Sequence, residues 1–97
     1  MSYFVYILYS PSADVYYKGQ TSDISERLKR HNSGREKATK HGIPWELVWA
    51  TNKATRGEAL KLERKLKNLS RERTTQFIQK YKVGVAGPDD SRGMSGC

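Results

Sequence analysis

The chain has 97 residues, with 18 Lys and Arg against 10 Asp and Glu, for a formal charge of +8, and 36% of it is hydrophobic. That length supports one small domain; no apolar run approaches the ~20 residues of a membrane span, and a single cysteine, Cys97, excludes a disulfide framework or a cysteine-rich zinc site. Met1 is not followed by the basic segment and cleavage site of a secretory leader, so the expected location is cytoplasmic with no membrane partner, and the charge favours a polyanion, nucleic acid first, because a phosphate backbone rewards clustered cations by counterion release.

Residues 3–9 are aromatic and β-branched with almost no polar break, which predicts a strand buried on both faces. Ser10, Pro11, Ser12, Ala13 and Asp14 are turn residues. Residues 15–20 read as a second strand, so residues 3–20 form a β-hairpin. Asp23, with Glu26 three positions on, has the form of a capping box. The helix after it runs to about Asn32 and is ended by Gly34. Residues 33–44 make a polar, basic loop. In residues 45–50 the alternation of Trp45, Leu47 and Trp49 predicts a third strand with those side chains on one side.

Thr55 and Glu58 repeat the capping pattern, and Ala59, Leu62, Leu66 and Leu69 form one stripe on the helix that follows. A last helix over about 70–81 turns Phe77, Ile78 and Tyr81 inward. From Gly84 the texture changes to Gly, Pro, Asp and Ser, which predicts a domain over 1–83 and a disordered tail over 84–97. The order strand, strand, helix, strand, helix, helix predicts an α/β fold: a small three-stranded antiparallel sheet flanked by helices.

Three constellations bear on chemistry. If Tyr9 pairs with Asp14 across the turn, Leu8 stands opposite Val15 and Tyr6 opposite Tyr17, placing two phenols side by side; the plainer reading is a packed aromatic pair. Arg27 and His31 share one helix face, as a cation and an imidazole suited to bind a phosphate or move a proton beside one; the plainer reading is a solvated face. Glu63 has Ala59, Leu60, Leu66 and Lys67 at helical spacings of three and four, which sets it at the margin of the apolar stripe. A carboxylate there needs a partner, either Lys67 or a hard ion such as Mg²⁺ that also binds phosphate oxygens and water. No second acidic residue stands out as a co-ligand. His41 lies in the loop without such context.

Together these residues resemble the GIY-YIG nuclease domain. Phe4-Val5-Tyr6 stands at the first motif and Tyr17-Lys18-Gly19 at the second, followed by Gln20-Thr21. Arg27-Leu28 with His31-Asn32 resembles the family's helix signature, and Glu58-Ala59-Leu60 leading to Glu63 and Lys67 its glutamate-bearing helix. The likeness spans about residues 3–80 and is greatest to the small single-domain bacterial members. It departs at Phe4 and at Lys18, which should point away from Tyr17. Asn68 follows Glu63 too soon to stand for the family's late asparagine.

The resemblance implies a one-metal endonuclease acting on DNA rather than RNA. Glu63 would hold Mg²⁺ or Mn²⁺, Tyr6 or Tyr17 would orient or deprotonate the attacking water, Arg27 would neutralise the scissile phosphate, and His31 would position a group or relay a proton. A phenol near pKa 10 is a poor base unless a cation depresses it, and Arg27 and the metal are the expected cause. Arg27, Lys29, Arg30, Arg35, Lys37, Lys40 and Lys67 form the expected nucleic-acid contacts. The rival readings are a non-catalytic or weakly catalytic nucleic-acid-binding module using the same basic helices, and a protein-interaction adaptor whose charge is incidental.

Overall fold

An uncharged aromatic and β-branched strand is stable in water only when both its faces are covered, and residues 3–9 are placed accordingly. In the computed structural model, which describes residues 2–81, β1 (Tyr3–Ser10) lies between β2 (Val15–Thr21) and β3 (Glu46–Lys53), with both pairings antiparallel. Val5, Tyr6, Ile7 and Leu8 are each no more than 2% exposed. Alternation sends Val5 and Ile7 to one layer, and Tyr6 and Leu8 to the other.

Helix α1 (Ile24–Asn32) covers the Tyr6–Leu8 face; α2 (Arg56–Lys67) and α3 (Arg71–Lys80) cover the opposite one. Each helix begins at a side-chain cap. Asp23 accepts from the Glu26 backbone N–H (3.0 Å), Thr55 from that of Glu58 (3.2 Å), and Ser70 from that of Arg73 (3.1 Å), satisfying donors the first turn leaves orphaned. Gly34, just past α1, has φ +84°, a left-handed conformation that glycine adopts freely. On the α2–α3 side Val5, Ile7, Trp49, Ala59 and Leu66 form a core completed by Leu62, Leu69, Phe77 and Ile78. Full burial of each larger apolar side chain contributes about 1.5–3 kcal/mol. On the α1 side Tyr6, Leu8 and Trp45 pack with Tyr17, Ile24, Leu28 and Ile43.

Two details differ from expectation. Ser10, not Tyr9, closes the hairpin: Ser10 pairs with Val15, so Leu8 faces Tyr17 and Tyr6 faces Gly19. The cause lies in the turn. Asp14 adopts φ +58°, its N–H donates to the Ser10 carbonyl (2.6 Å), and the Ser10 hydroxyl accepts from the Ala13 N–H (3.0 Å). The Asp14 carboxylate then takes the Tyr9 hydroxyl (2.6 Å) and the Arg71 guanidinium, instead of serving in the ladder. The register moves by two residues, so parity is kept and Tyr6 and Tyr17 still share a face, now as diagonal neighbours.

In β3 the pairing slips by one between Ile7–Trp49 and Leu8–Leu47, leaving Val48 as the extra residue of a bulge. Trp45 and Trp49 consequently join opposite layers, and Leu47 is 41% exposed. The alternation does not survive the bulge. Among the described residues no helix is long and apolar enough to cross a membrane. The boundary expected at residue 83 and the tail expected over 84–97 lie outside the described residues.

Candidate active site

The expected site begins on β1 and β2. Tyr6 extends its phenol across the backbone of Gly19, its ladder partner. A Cβ at Gly19 would stand 2.7 Å from the Tyr6 hydroxyl oxygen and 2.9 Å from Cζ. Absence of a side chain on β2 is thus what lets the phenol lie there. Tyr17, diagonal to it, has its ring centroid 6.4 Å from that of Tyr6.

Helix α1 supplies the next two residues. His31 is fully buried at 1% exposure; its ring centroid is 4.9 Å from that of Tyr17, and its Nε2 is 3.0 Å from the Tyr6 hydroxyl. On the far side of the ring, Nδ1 is 2.9 Å from the Thr39 hydroxyl. Arg27 lies one turn earlier, where its positive charge opposes the rise that burial imposes on the Tyr6 phenol. Its Nε is buried without a hydrogen-bond partner among the described residues.

Glu63 comes from α2, on the other side of the sheet, and meets the edge strand β2 at Gln20. Gln20 Nε2 donates to its Oε1 (3.1 Å), and Lys67 Nζ lies 3.1 Å from its Oε2. The carboxylate is only 16% exposed and acts electrostatically on Tyr6. Tyr6, Tyr17 and His31 therefore meet on the α1 face of the sheet with Arg27 one turn along the same helix, while Glu63 stands on the α2 face and is linked to them by its charge on Tyr6.

The electrostatics depart from the expectation of a depressed phenol. Burial pushes Tyr6 up to about 12, and Tyr17 and Glu63 add to the rise; Arg27 pulls the other way but is outweighed. Tyr6 is a neutral hydrogen-bond donor at physiological pH. Burial holds His31 below its ordinary value, and Arg27 and Arg30 reinforce this against Glu36. The imidazole is neutral too, so the Tyr6–His31 contact joins two uncharged partners.

Among the described residues no three His, Cys, Asp or Glu side chains cluster to hold a metal. Among the site residues Glu63 is the one hard carboxylate donor, and its side chain is 16% exposed. That donor set fits Mg²⁺ or Mn²⁺ bound through one carboxylate with water and phosphate oxygens, and does not fit an all-protein cage. Lys67 would have to yield Oε2 to such an ion.

Of the expected nucleic-acid contacts, Lys29, Arg35, Lys37, Lys40 and Lys67 are exposed, and Arg30 is tied to Glu36 at 3.0 Å. Lys18 pairs with Ile7 and so faces away from Tyr17, as expected; partial burial lowers its pKa. Three residues join the group that sequence reasoning gave no role. Gln20 braces Glu63. Asn32 bonds both backbone groups of Trp45, its Oδ1 accepting from N (2.6 Å) and its Nδ2 donating to O (3.1 Å). Thr39 braces His31. Gln20 and Asn32 carry a signal in adjoining motif residues; a hydroxyl in a polar loop carries none.

The family profile described as the GIY-YIG catalytic domain matches residues 2–82. A UPF0213 protein of Bacillus velezensis is 35% identical, covering 92% of this chain and 95% of the relative. The UPF0213 protein YazA of Bacillus subtilis is also 35% identical, over 77% of this chain and 82% of its own length. The solution NMR structure of the UPF0213 protein BH0048 from Bacillus halodurans superposes with a TM-score of 0.55 at 32% identity, covering 93% of this chain and 92% of that one.

Proposed function

This chain belongs to the GIY-YIG family, and from that premise we propose that it is a divalent-metal-dependent endonuclease hydrolysing DNA phosphodiester bonds. The observation that supports this reading most is the orphaned Arg27 Nε–H beside a buried, protonated phenol. A buried cationic donor needs an acceptor, and a phosphate oxygen is the strong one that the surrounding positive charge would draw in.

Glu63 holds Mg²⁺ or Mn²⁺, with Gln20 keeping the carboxylate oriented and Lys67 released to the backbone of the bound strand. When bound, the ion lowers the pKa of nearby water and offsets charge on the attacking and leaving oxygens. Tyr17 orients the water. As the water attacks phosphorus, its proton passes to the Tyr6 oxygen and the Tyr6 proton passes to His31 Nε2. One P–O bond forms, and the ester P–O bond breaks with its electron pair on the leaving oxygen, which takes a proton from solvent; His31 returns its extra proton to solvent through Tyr6, and Arg27 neutralises the charge gathering on the phosphoryl oxygens. A phenol held near 12 cannot serve as a free phenolate; with a neutral imidazole behind it, it can relay a proton without ever carrying a full charge. Lys29, Arg30, Arg35, Lys37 and Lys40 hold the flanking phosphates.

One observation favours the rival reading. The Glu63 carboxylate already has Gln20 and Lys67 as partners, so the same scaffold would be satisfied as a nucleic-acid-binding module without a metal. A cleavage assay on structured and single-stranded DNA with Mg²⁺ or Mn²⁺ separates the two. We expect product from the wild type and none from Glu63→Ala, a loss of at least about 10³-fold, while both bind DNA alike at low salt. Salt-sensitive binding by both with product from neither would sink the nuclease reading and leave the binding module standing.

A further inference from the structure

We propose that Thr39 is a positioning residue that holds the His31 imidazole in its Nδ1–H tautomer, so that Nε2 is bare and faces the Tyr6 hydroxyl as an acceptor. The functional side of this inference rests on the nuclease reading above. Its structural side stands on hydrogen bonds alone.

His31 and Thr39 are 1% and 0% exposed, so no bulk water serves either side chain. Buried polar groups must then satisfy each other. The imidazole has one partner on each nitrogen: the Tyr6 hydroxyl at 3.0 Å on Nε2 and the Thr39 hydroxyl at 2.9 Å on Nδ1. Both partners are hydroxyls, which donate or accept, so two proton arrangements are geometrically open.

Chemistry selects between them at both ends. A phenol is the stronger donor and an unprotonated imidazole nitrogen the stronger acceptor, so the Tyr6 O–H donates to Nε2. Nδ1 must then carry the proton and needs an acceptor. Thr39 Oγ1 is free to accept because its own proton points to the Glu36 carbonyl, 3.4 Å away. Each proton has one place in the resulting chain from Tyr6 through His31 and Thr39 to Glu36.

Thr39 is fixed in that role by its backbone. Its N–H donates to the Glu36 carbonyl (3.1 Å), and its carbonyl accepts from the Trp45 indole N–H (2.7 Å) and the Gly42 N–H (3.1 Å). Asn32, the neighbour of His31, clamps Trp45 at both backbone groups. The loop after α1 is thereby pinned to the helix that carries the histidine. It delivers one hydroxyl to one nitrogen.

The test is the ¹⁵N spectrum of the His31 ring in the full chain, recorded through its two-bond couplings and assigned with a His41→Gln control. In the wild type we expect a protonated Nδ1 and a bare Nε2. Thr39→Val keeps the shape and removes the acceptor, so the proton should move to Nε2; Thr39→Ser should restore the wild-type pattern. In the cleavage assay Thr39→Val should lose about 10²-fold in kcat, the scale of a general base lost, with Thr39→Ser near wild type. A wild-type ring protonated at Nε2, or a Thr39→Val ring unchanged, overturns the inference. Spectra as expected from a protein that cuts no DNA overturn the nuclease reading instead and leave the tautomer assignment standing. If Thr39→Val does not fold, the wild-type and Thr39→Ser spectra decide alone.

Discussion

On the α2–α3 face of the sheet, the buried set is Val5, Ile7, Trp49, Ala59 and Leu66. On the α1 face, Tyr6, Leu8 and Trp45 share their layer with buried Ser10, His31 and Thr39. The one fully buried polar side chain of the helix pair, Thr74, turns its hydroxyl back to the Ser70 carbonyl of its own helix (2.8 Å) and makes no demand on the sheet. Apolar packing is non-directional, so the first face has chiefly to match volume, with the Trp49 indole N–H given to the Tyr81 carbonyl (2.7 Å) and the Tyr16 hydroxyl joined to that of Thr75 (2.9 Å). The second must match donors to acceptors as well, because a buried polar group without a partner costs about 1–3 kcal/mol. The proposed chemistry draws its buried, neutral phenol and imidazole from the second face and its carboxylate, Glu63, from the helix pair that covers the first.

The largest effect is expected on the apolar side. Leu66→Ala should cost about 2–5 kcal/mol in urea unfolding, the usual range for a buried Leu cavity. DNA cleavage per folded molecule should stay unchanged. A large drop in kcat at full folding would show that the faces are not separable. Gly19→Ala probes the polar side. Its Cβ would meet the Tyr6 ring end at 2.7–2.9 Å, so the phenol must shift; we expect a cost of about 1–3 kcal/mol, as for overpacking, and a disproportionate loss of cleavage.

How far the sequence carries depends on whether a signal is local. The caps at Asp23 and Thr55, the apolar stripe of Ala59, Leu62, Leu66 and Leu69, and the buried β1 are visible because each is a pattern within one element; the Ser70 cap, with no acidic residue three positions on, is not. The hairpin register is missed by two residues because a left-handed Asp14, bound to Tyr9 and Arg71, joins the turn and moves it one residue along the chain at the same length. The shared face of Trp45, Leu47 and Trp49 fails because a bulge at Val48 depends on the partner strand.

Two gentler measurements sharpen the contrast. Burial holds His31 below its ordinary 6.5 in the folded state, so the unfolded chain takes up the proton first as pH falls. The stability from the neutral ring is therefore complete above about 6.5 and lost as pH falls from there through the lower folded value. Urea midpoints at about pH 7.5 and about pH 5 should differ in the wild type and differ less in His31→Gln. Asp14, held below 3.8 chiefly by the Tyr9 hydroxyl, loses its contribution only in a more acidic window. The smallest effect is expected at exposed Lys37. Lys37→Ala should weaken DNA binding a few-fold and evenly across sequences, lowering the slope against log salt by about one. No change in the slope would remove it from the interface.

The sequence alone determined the element order, the α/β class, the capped starts of the first two helices and the family, along with the residue types able to carry phosphate chemistry, because these depend on short-range pattern and spacing. Only the tertiary structure decided that Tyr6 lies over Gly19, that its pKa rises and does not fall, and that Gln20 and Thr39 brace the carboxylate and the imidazole. Those outcomes rest on desolvation and on hydrogen bonds between elements 25 and 43 residues apart, and such effects exist only once the sheet has brought the partners together.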